Sequence, residues 1–334
     1  MKKPNILFLP IDDLRTQLCC YGEAQMVTPN IDRLASRGTV FTQAYCQVPV
    51  CGATRASLLS GIRPTPTRFV NYLAAVDEDA PGTRTLPQQF REHGYRAVAC
   101  GKVFHHHDDT AERSWESMPW LPSMDHGTSW RNYLVAENRR LDMDDGDYRG
   151  PPVECAEVSD HDYHDGQIAD RAIAEMNELA KQDDPFFLAA GFIKPHLPFN
   201  APKTYWDYYR RRDISPADNP FAPDGAPPAA LHTWGELRSY HGTPAEGPLS
   251  DEMACELIHG YYAATSYVDA QVGRVVDELD RLGLRDNTIV VLWGDHGWHL
   301  GEHGLWCKHC NFDHCLNAPL LVSAPDQRDG VCDE

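Results

Sequence analysis

Apolar residues in this chain gather in two rhythms. Short, largely apolar runs cover Ile6 to Ile11, Tyr95 to Cys100, Pro185 to Phe192 and Asn287 to Trp293. Runs of this length without regular polar alternation predict strands buried on both faces of a parallel sheet. Helical signals lie between them. Thr28-Pro29-Asn30 predicts a helix that ends at Gly38, and Leu86 to His93 predicts one closed by Gly94. His161 to Lys181 carries a long amphipathic pattern. Ser250 caps a predicted helix of roughly thirty residues that ends near Gly283. Alternating helices and buried strands predict an α/β fold: a doubly wound, mostly parallel central sheet with helices on both faces.

Two stretches break the rhythm. Trp115 to Asp160 is rich in Asp, Trp, Pro and Met, and Asp213 to Gly247 is rich in Pro and Ala. Long irregular insertions of this kind are functional loops more often than packing devices. Residues 115–160 and 213–247 are therefore expected to form a rim around a site. No internal repeat and no linker divides the chain, so residues 1–334 read as one domain.

Composition narrows the function classes. A chain of 334 residues with 42% hydrophobic content can bury a large core. The net charge of −19 argues against nucleic acid, whose phosphates need Lys and Arg. It reads as solvated acidic surface, and it obliges any anionic substrate to meet a local basic pocket. The 11 cysteines are odd in number and irregular in spacing, unlike a secreted disulfide framework; most are expected to be buried small hydrophobes. No apolar stretch reaches the ~18 residues of a membrane span, and the apolar run after Met1-Lys2-Lys3-Pro4 is too short for a signal h-region. The chain as given reads as cytoplasmic, or as periplasmic or secreted if a leader was removed.

Candidate chemistry follows the predicted strands. Asp12-Asp13 follows the first apolar run, and Asp295-His296 follows the last, between Gly294 and Gly297. Ligands gather at strand carboxyl ends in open α/β sheets, and adjacent carboxylates favour a cation between them. Asp12, Asp13, Asp295 and His296 thus form a candidate metal cage. Its oxygens suit Ca²⁺ or Mg²⁺, and its imidazole tolerates Mn²⁺ or Zn²⁺. Basic groups follow other runs: Lys102 and His105, which in a helical turn would face the same way, Lys194 and His196, then His303 and Lys308. Together they predict an anion pocket on an acidic protein. Cys51 stands just ahead of a predicted helix with Arg55 four residues on, so the two share a face.

The segment Cys51-Gly52-Ala53-Thr54-Arg55, with Leu59-Ser60-Gly61 at its end, resembles the signature of the sulfatase family, Cys-x-Pro-Ser-Arg followed by Leu-x-Gly. The order Asp12-Asp13-Leu14-Arg15, Cys51 segment, Gly101-Lys102-Val103-Phe104-His105, Lys194-Pro195-His196-Leu197-Pro198-Phe199 and Asp295 to Gly304 is similar to its iduronate-2-sulfatase-like branch. The resemblance runs from residue 4 to about 325 and implies an alkaline-phosphatase-like fold. It implies a divalent metal, foremost Ca²⁺, held by Asp12, Asp13, Asp295, His296 and the modified Cys51. It also implies oxidation of Cys51 to formylglycine by a maturation enzyme, its hydrated aldehyde being the nucleophile. Arg55 would favour the ionised nucleophile, Lys102 and Lys308 would clamp sulfate, and His196 would protonate the leaving sugar oxygen. His105 would take the proton that expels sulfate. Lys194 would touch sulfate or a uronate, and His303 would contact substrate.

The implied reaction is hydrolysis of a sulfuric ester on a sulfated carbohydrate. A phosphodiester or phosphonate hydrolase of the same superfamily, and an unmatured chain that binds sulfated glycans without turnover, are the alternatives. The chain departs from the pattern at Ala53 and Thr54, where proline and serine are usual. It departs again at Cys307-Lys308-His309-Cys310, followed by Cys315. That CxxC suits zinc, a redox pair or ordinary thiols beside a lysine. The family also implies a smaller C-terminal subdomain, which leads to the expectation that this chain is truncated.

Overall fold

The computed structural model describes residues 3–126, 129–142, 149–325 and 329–333. Parts of the first insertion, 127–128 and 143–148, lie outside the described residues. The strands are β1 (Asn5–Ile11), β2 (Thr39–Phe41), β3 (Arg96–Gly101), β4 (Val153–Ala156), β5 (Phe186–Gly191) and β6 (Phe199–Pro202). They continue with β7 (Thr288–Gly294), β8 (His299–Leu300), β9 (Trp306–Cys307), β10 (Leu320–Ser323) and β11 (Gly330–Cys332). A 7-stranded sheet has the order β11-β2-β10-β7-β1-β5-β3. Within it β7, β1, β5 and β3 run parallel, while β10 is antiparallel to both neighbours. Two small ladders, β4–β6 and β8–β9, lie outside this sheet. The doubly wound, mostly parallel architecture is the one the hydrophobic pattern predicts.

Continuous apolar runs mark the central strands because both sheet faces are covered. Leu7, Leu9 and Ile11 pack with Ile168, Ala172 and Met176 of the helix His164–Leu179 and with Val268 and Val272 of the helix Asp251–Arg281. Ile6 and Phe8 point the other way, into a cluster holding Ala53, Ala56 and Leu59 of the helix Cys51–Ser60. Alternate residues of β1 therefore serve opposite cores. Ser250 caps the long helix by accepting from the amide of Met253. Among the described residues no helix is long and apolar enough to cross a membrane.

Several details differ from the sequence expectation. The first helix spans Pro29–Ala35 and stops at Ser36, short of Gly38. Its amides at Asn30 and Ile31 donate to Asp269, a partner more than two hundred residues away that no local pattern announces. The 161–181 pattern splits into a turn at Asp160–Asp162 and the helix His164–Leu179. Ser159 and Asp162 close a capping box there, and Tyr163 is extended. The 115–160 insertion is more ordered than its sequence suggests. It carries the helices Pro122–His126 and Ala136–Leu141 and strand β4. Buried Glu154 ties it together by accepting from the amides of Leu134 and Val135. The cysteines also depart from expectation. Cys51, Cys100, Cys307, Cys310 and Cys315 are buried, the rest are partly or fully exposed, and all are free thiols.

Candidate active site

The parallel strands end together. Ile11 lies opposite Gly294, and Gly101 opposite Gly191, so the residues just beyond them are brought side by side. Gly101 has φ 72°, and a Cβ there would sit 2.1 Å from the Gly191 carbonyl oxygen. Only glycine permits that approach. Asp12 and Asp13 leave β1, Asp295 and His296 leave β7, Lys102 leaves β3, and the 193–198 loop leaves β5. The helix Cys51–Ser60 starts beneath them, with Cys51 in its first turn and Arg55 on the same face. Thr54 Oγ1 donates to the Asp295 carbonyl at 3.1 Å and fixes that helix to the end of β7.

Cys51 stands at the focus. His296 Nε2 lies 3.3 Å from its Sγ, and Asp13 Oδ1 lies 3.8 Å away. The other His296 nitrogen, Nδ1, donates to the Gly297 carbonyl at 3.0 Å, which aims Nε2 at the centre. Arg55 is fully buried; its Nε donates to Asp295 at 2.9 Å and its Nη2 to Asp12 at 3.3 Å. Its third group, Nη1, donates to the carbonyls of Lys102 and Val103, so Arg55 also holds the β3 loop. Lys102 pairs with Asp12. Lys308 Nζ lies 2.9 Å from both Asp13 oxygens and 3.2 Å from Glu236 Oε1. His196 donates Nδ1–H to the Leu197 carbonyl at 2.6 Å, leaving Nε2 3.2 Å from Glu236 and 3.8 Å from Asp13. His105 is half-buried beside the Cys51 side chain.

Titration follows from this packing of charge. Burial disfavours ionisation of the Cys51 thiol, and Asp12 adds to it, yet Lys308, Lys102 and His296 hold it well below its ordinary range. Burial, against His196 and Lys308, pushes Asp13 up to about 6; burial, against His296 and Arg55, pushes Asp295 up to about 7. Asp12 goes the other way, because Lys102 and Arg55 outweigh its burial. Burial lowers His105, which leaves it neutral. Burial also opposes protonation of His196, but Asp13 outweighs it.

The donor atoms suit a cation. One ligand atom from each of Asp12, Asp13, Cys51 and His196 lies within 4.8 Å of the others, as do those of Asp12, Cys51, Asp295 and His296. The expected members Asp12, Asp13, Cys51, Arg55, Lys102, His105, His196, Asp295, His296 and Lys308 are thus brought into one centre.

Other expectations are corrected. Lys194 turns back into its own loop. Its buried ammonium donates to the carbonyls of His196 at 3.0 Å and Pro198 at 2.6 Å, so it shapes the loop instead. Those carbonyls turn inward in a segment with no regular structure to satisfy them. His303 stands with His299 and His314 and packs on Phe312, 4.7 Å between ring centroids, rather than joining the Cys51 group. Its backbone is left-handed, φ 59°, which turns the side chain to that side. Lys102 and His105 converge without the helical turn expected between them. Lys308 comes from the β8–β9 ladder, not from a strand end of the main sheet. Cys307 stays out of the thiol cluster; Cys310 faces Cys315.

Sequence reasoning missed Glu236 and Trp130. Glu236 sits in the short helix Gly235–Arg238 of the second insertion and links Lys308 to His196. Trp130, from the first insertion, sets its ring edge-to-face on His196 at 5.3 Å. Neither follows a strand or sits in a recognisable motif.

Comparison with known proteins places this geometry. A family model described as Sulfatase matches residues 4–330. Iduronate 2-sulfatase of Mus musculus is 36% identical over 96% of this chain, and a sulfatase of Formosa agariphila is 31% identical over 97%. The chain spans 59% and 64% of the length of those two relatives. The phosphonate monoester hydrolase of Agrobacterium radiobacter shares the fold, with a TM-score of 0.75 at 20% identity over 99% of this chain and 71% of that one. Strand-end carboxylates, a buried cysteine opening a helix and a match over nearly the whole length lead to one assignment: the chain belongs to the sulfatase family.

Proposed function

We propose that this chain carries the catalytic centre of a sulfuric ester hydrolase that releases sulfate from a sulfated sugar, as an iduronate-2-sulfatase-like enzyme does. The observation that carries the reading is the place of Cys51. A buried thiol ringed by Asp12, Asp13, Asp295, Lys102, Lys308 and His296 has little packing rationale, because most groups around its sulfur are ionisable. The similarity to iduronate 2-sulfatase supports the substrate class.

The residues fit a divalent cation. Asp13 and Asp295 bear a burial penalty that such an ion relieves, and the oxygen-rich donor set favours Ca²⁺ over Mg²⁺ or Mn²⁺. Asp12, Asp13, Asp295 and His296 would hold it, and when bound it would polarise a sulfate oxygen and favour an ionised nucleophile. Cys51 also fits conversion to formylglycine by a maturation enzyme, whose hydrated aldehyde would supply that nucleophile.

The remaining residues act on the sulfate ester directly. Lys102 and Lys308 supply positive charge on two sides of the Cys51 position, where charge builds on the sulfuryl oxygens. His196, protonated and aimed by the Leu197 carbonyl, donates a proton to the leaving sugar oxygen. His105, neutral and against Cys51, accepts the proton whose removal frees sulfate. Arg55 orients Asp12 and Asp295 and neutralises them in a centre from which water is largely excluded.

Sulfate release from sulfated uronic acid oligosaccharides tests the reading, measured for the protein and for Cys51→Ala. Release by the parent and none by the variant is expected; equal rates contradict it. The shared fold with a phosphonate monoester hydrolase favours one second reading, a phosphonate or phosphodiester hydrolase. Faster turnover of a phosphonate than of a sulfate ester of the same alcohol would select it. Glycan binding without turnover, with an intact Cys51 thiol, would select a binding protein.

A further inference from the structure

A second cluster of ligating groups lies apart from the Cys51 focus. One ligand atom from each of His299, Cys310 and Cys315 lies within 4.8 Å of the others, and all three residues are buried. Cys315 Sγ is 2.9 Å from His299 Nδ1, Cys310 Sγ is 3.7 Å from the same nitrogen, and the two sulfurs are 3.4 Å apart. A tetrahedral zinc ion with ordinary bond lengths separates two thiolates by about 3.8 Å and a thiolate from an imidazole nitrogen by about 3.5 Å. The triangle of His299, Cys310 and Cys315 ligand atoms is within several tenths of an ångström of that size.

From this geometry we infer that His299, Cys310 and Cys315 form a zinc site. The charges suit burial: two thiolates and a neutral imidazole cancel the charge of Zn²⁺. His232 supports the site from outside it. Its Nδ1 accepts from the Trp234 amide at 3.1 Å, which places its proton on Nε2, a buried atom near Cys310 that has no hydrogen-bond partner. A ligating thiolate at Cys310 would supply an acceptor for it. Three protein ligands would leave the fourth tetrahedral position to a water molecule. Loading is a balanced exchange without redox change: Zn²⁺ enters, two Zn–S bonds form, and the two thiol protons leave to solvent.

The site has a structural consequence for the centre. Lys308 lies between Cys307 and His309, both left-handed with φ 70° and 79°, and Cys310 follows directly. β8 supplies His299 and β9 leads into Lys308, so the ion would tie both arms of that ladder to Cys315 in the helix Asp313–Leu316. Zinc would then act as a positioning element for Lys308, at a place independent of the catalytic reading.

The test uses the full chain carrying Cys51→Ser, so that the central thiol cannot ligate. Metal analysis of protein prepared in zinc-containing medium should give about one zinc per chain. Loading the chelated protein with Co²⁺ should produce a thiolate-to-cobalt charge-transfer band in the near ultraviolet, bleached by Zn²⁺. Cys310→Ser should abolish the band, while Cys19→Ser with Cys20→Ser should leave it. The parent spectrum and zinc content do not depend on whether Cys310→Ser folds. Absence of both zinc and the cobalt band would overturn the proposal. So would a chain about 2 Da lighter than its reduced form through a Cys310–Cys315 disulfide, or a band that survives Cys310→Ser.

Discussion

The centre and its rim are built differently. Asp12, Asp13, Lys102, Asp295 and His296 stand within two residues of a strand end, and backbone pairing fixes their mutual positions. Glu236 and Trp130 arrive from the insertions and depend on packing over long sequence distances: buried Trp234, Leu237 and Tyr240 seat the Glu236 turn. The strand-end groups supply charge of both signs, the carboxylates fully buried, whereas the rim supplies a carboxylate that bridges Lys308 and His196 and an aromatic wall. The lesson is a division of labour. On the proposed reading the strand ends carry the metal cage and one sulfate clamp, and the insertions carry groups that tune them.

Variants can break this division, beginning with the largest effect. Lys102→Met removes a cation that pairs with Asp12 at the end of β3; a loss of roughly 10²–10³ in kcat is expected. Steady-state sulfate release measures it, and a loss no larger than that of the rim variants would erase the distinction. Glu236→Gln keeps the shape but withdraws the charge that bridges Lys308 and His196; a loss of roughly 10–100-fold in kcat is expected. An unchanged kcat would make Glu236 a bystander. Trp130→Ala removes the wall against His196, and a rise in KM of about 3–10-fold with kcat nearly kept is expected. A kcat defect larger than the KM effect would move Trp130 from the wall to the chemistry.

The smallest effect lies where the two regions are tied together. Arg15, just past the β1 end, pairs with Glu302 beside the β8–β9 ladder at 2.8 Å. Burial opposes ionisation of Glu302, but Arg15 outweighs it and lowers the carboxyl from 4.5 to about 2. A depressed carboxyl adds stability above its unfolded value and loses it as pH falls through its folded value. Glu302→Gln should therefore cost on the order of 1–3 kcal/mol at neutral pH, with the difference vanishing towards pH ~2. Urea unfolding of parent and variant at several pH values measures this. A gap independent of pH would show that the pair acts by packing alone.

How much was legible in the sequence follows the same division. The core strands could be read because burial on both faces leaves an uninterrupted apolar run, as in Phe186–Gly191. Asp12-Asp13 and Asp295-His296 could be read because they sit directly after such runs. Glu236 could not, since an acidic residue in a Pro- and Ala-rich stretch looks like any solvated carboxylate until the fold buries it against Lys308. Lys194 misled for the opposite reason: a lysine after a strand looks like an anion ligand, and only the inward carbonyls of His196 and Pro198 reveal its structural use. Asp269, the remote cap of the helix Pro29–Ala35, was likewise invisible to local pattern.

The central claim concerns the atom at the focus of the charged groups. Mass spectrometry of the peptide containing Cys51, from protein made in its native host, tests it most directly. The account predicts a residue about 18 Da lighter than cysteine, the mass change of thiol to formylglycine. An unmodified thiol throughout the active preparation would contradict it.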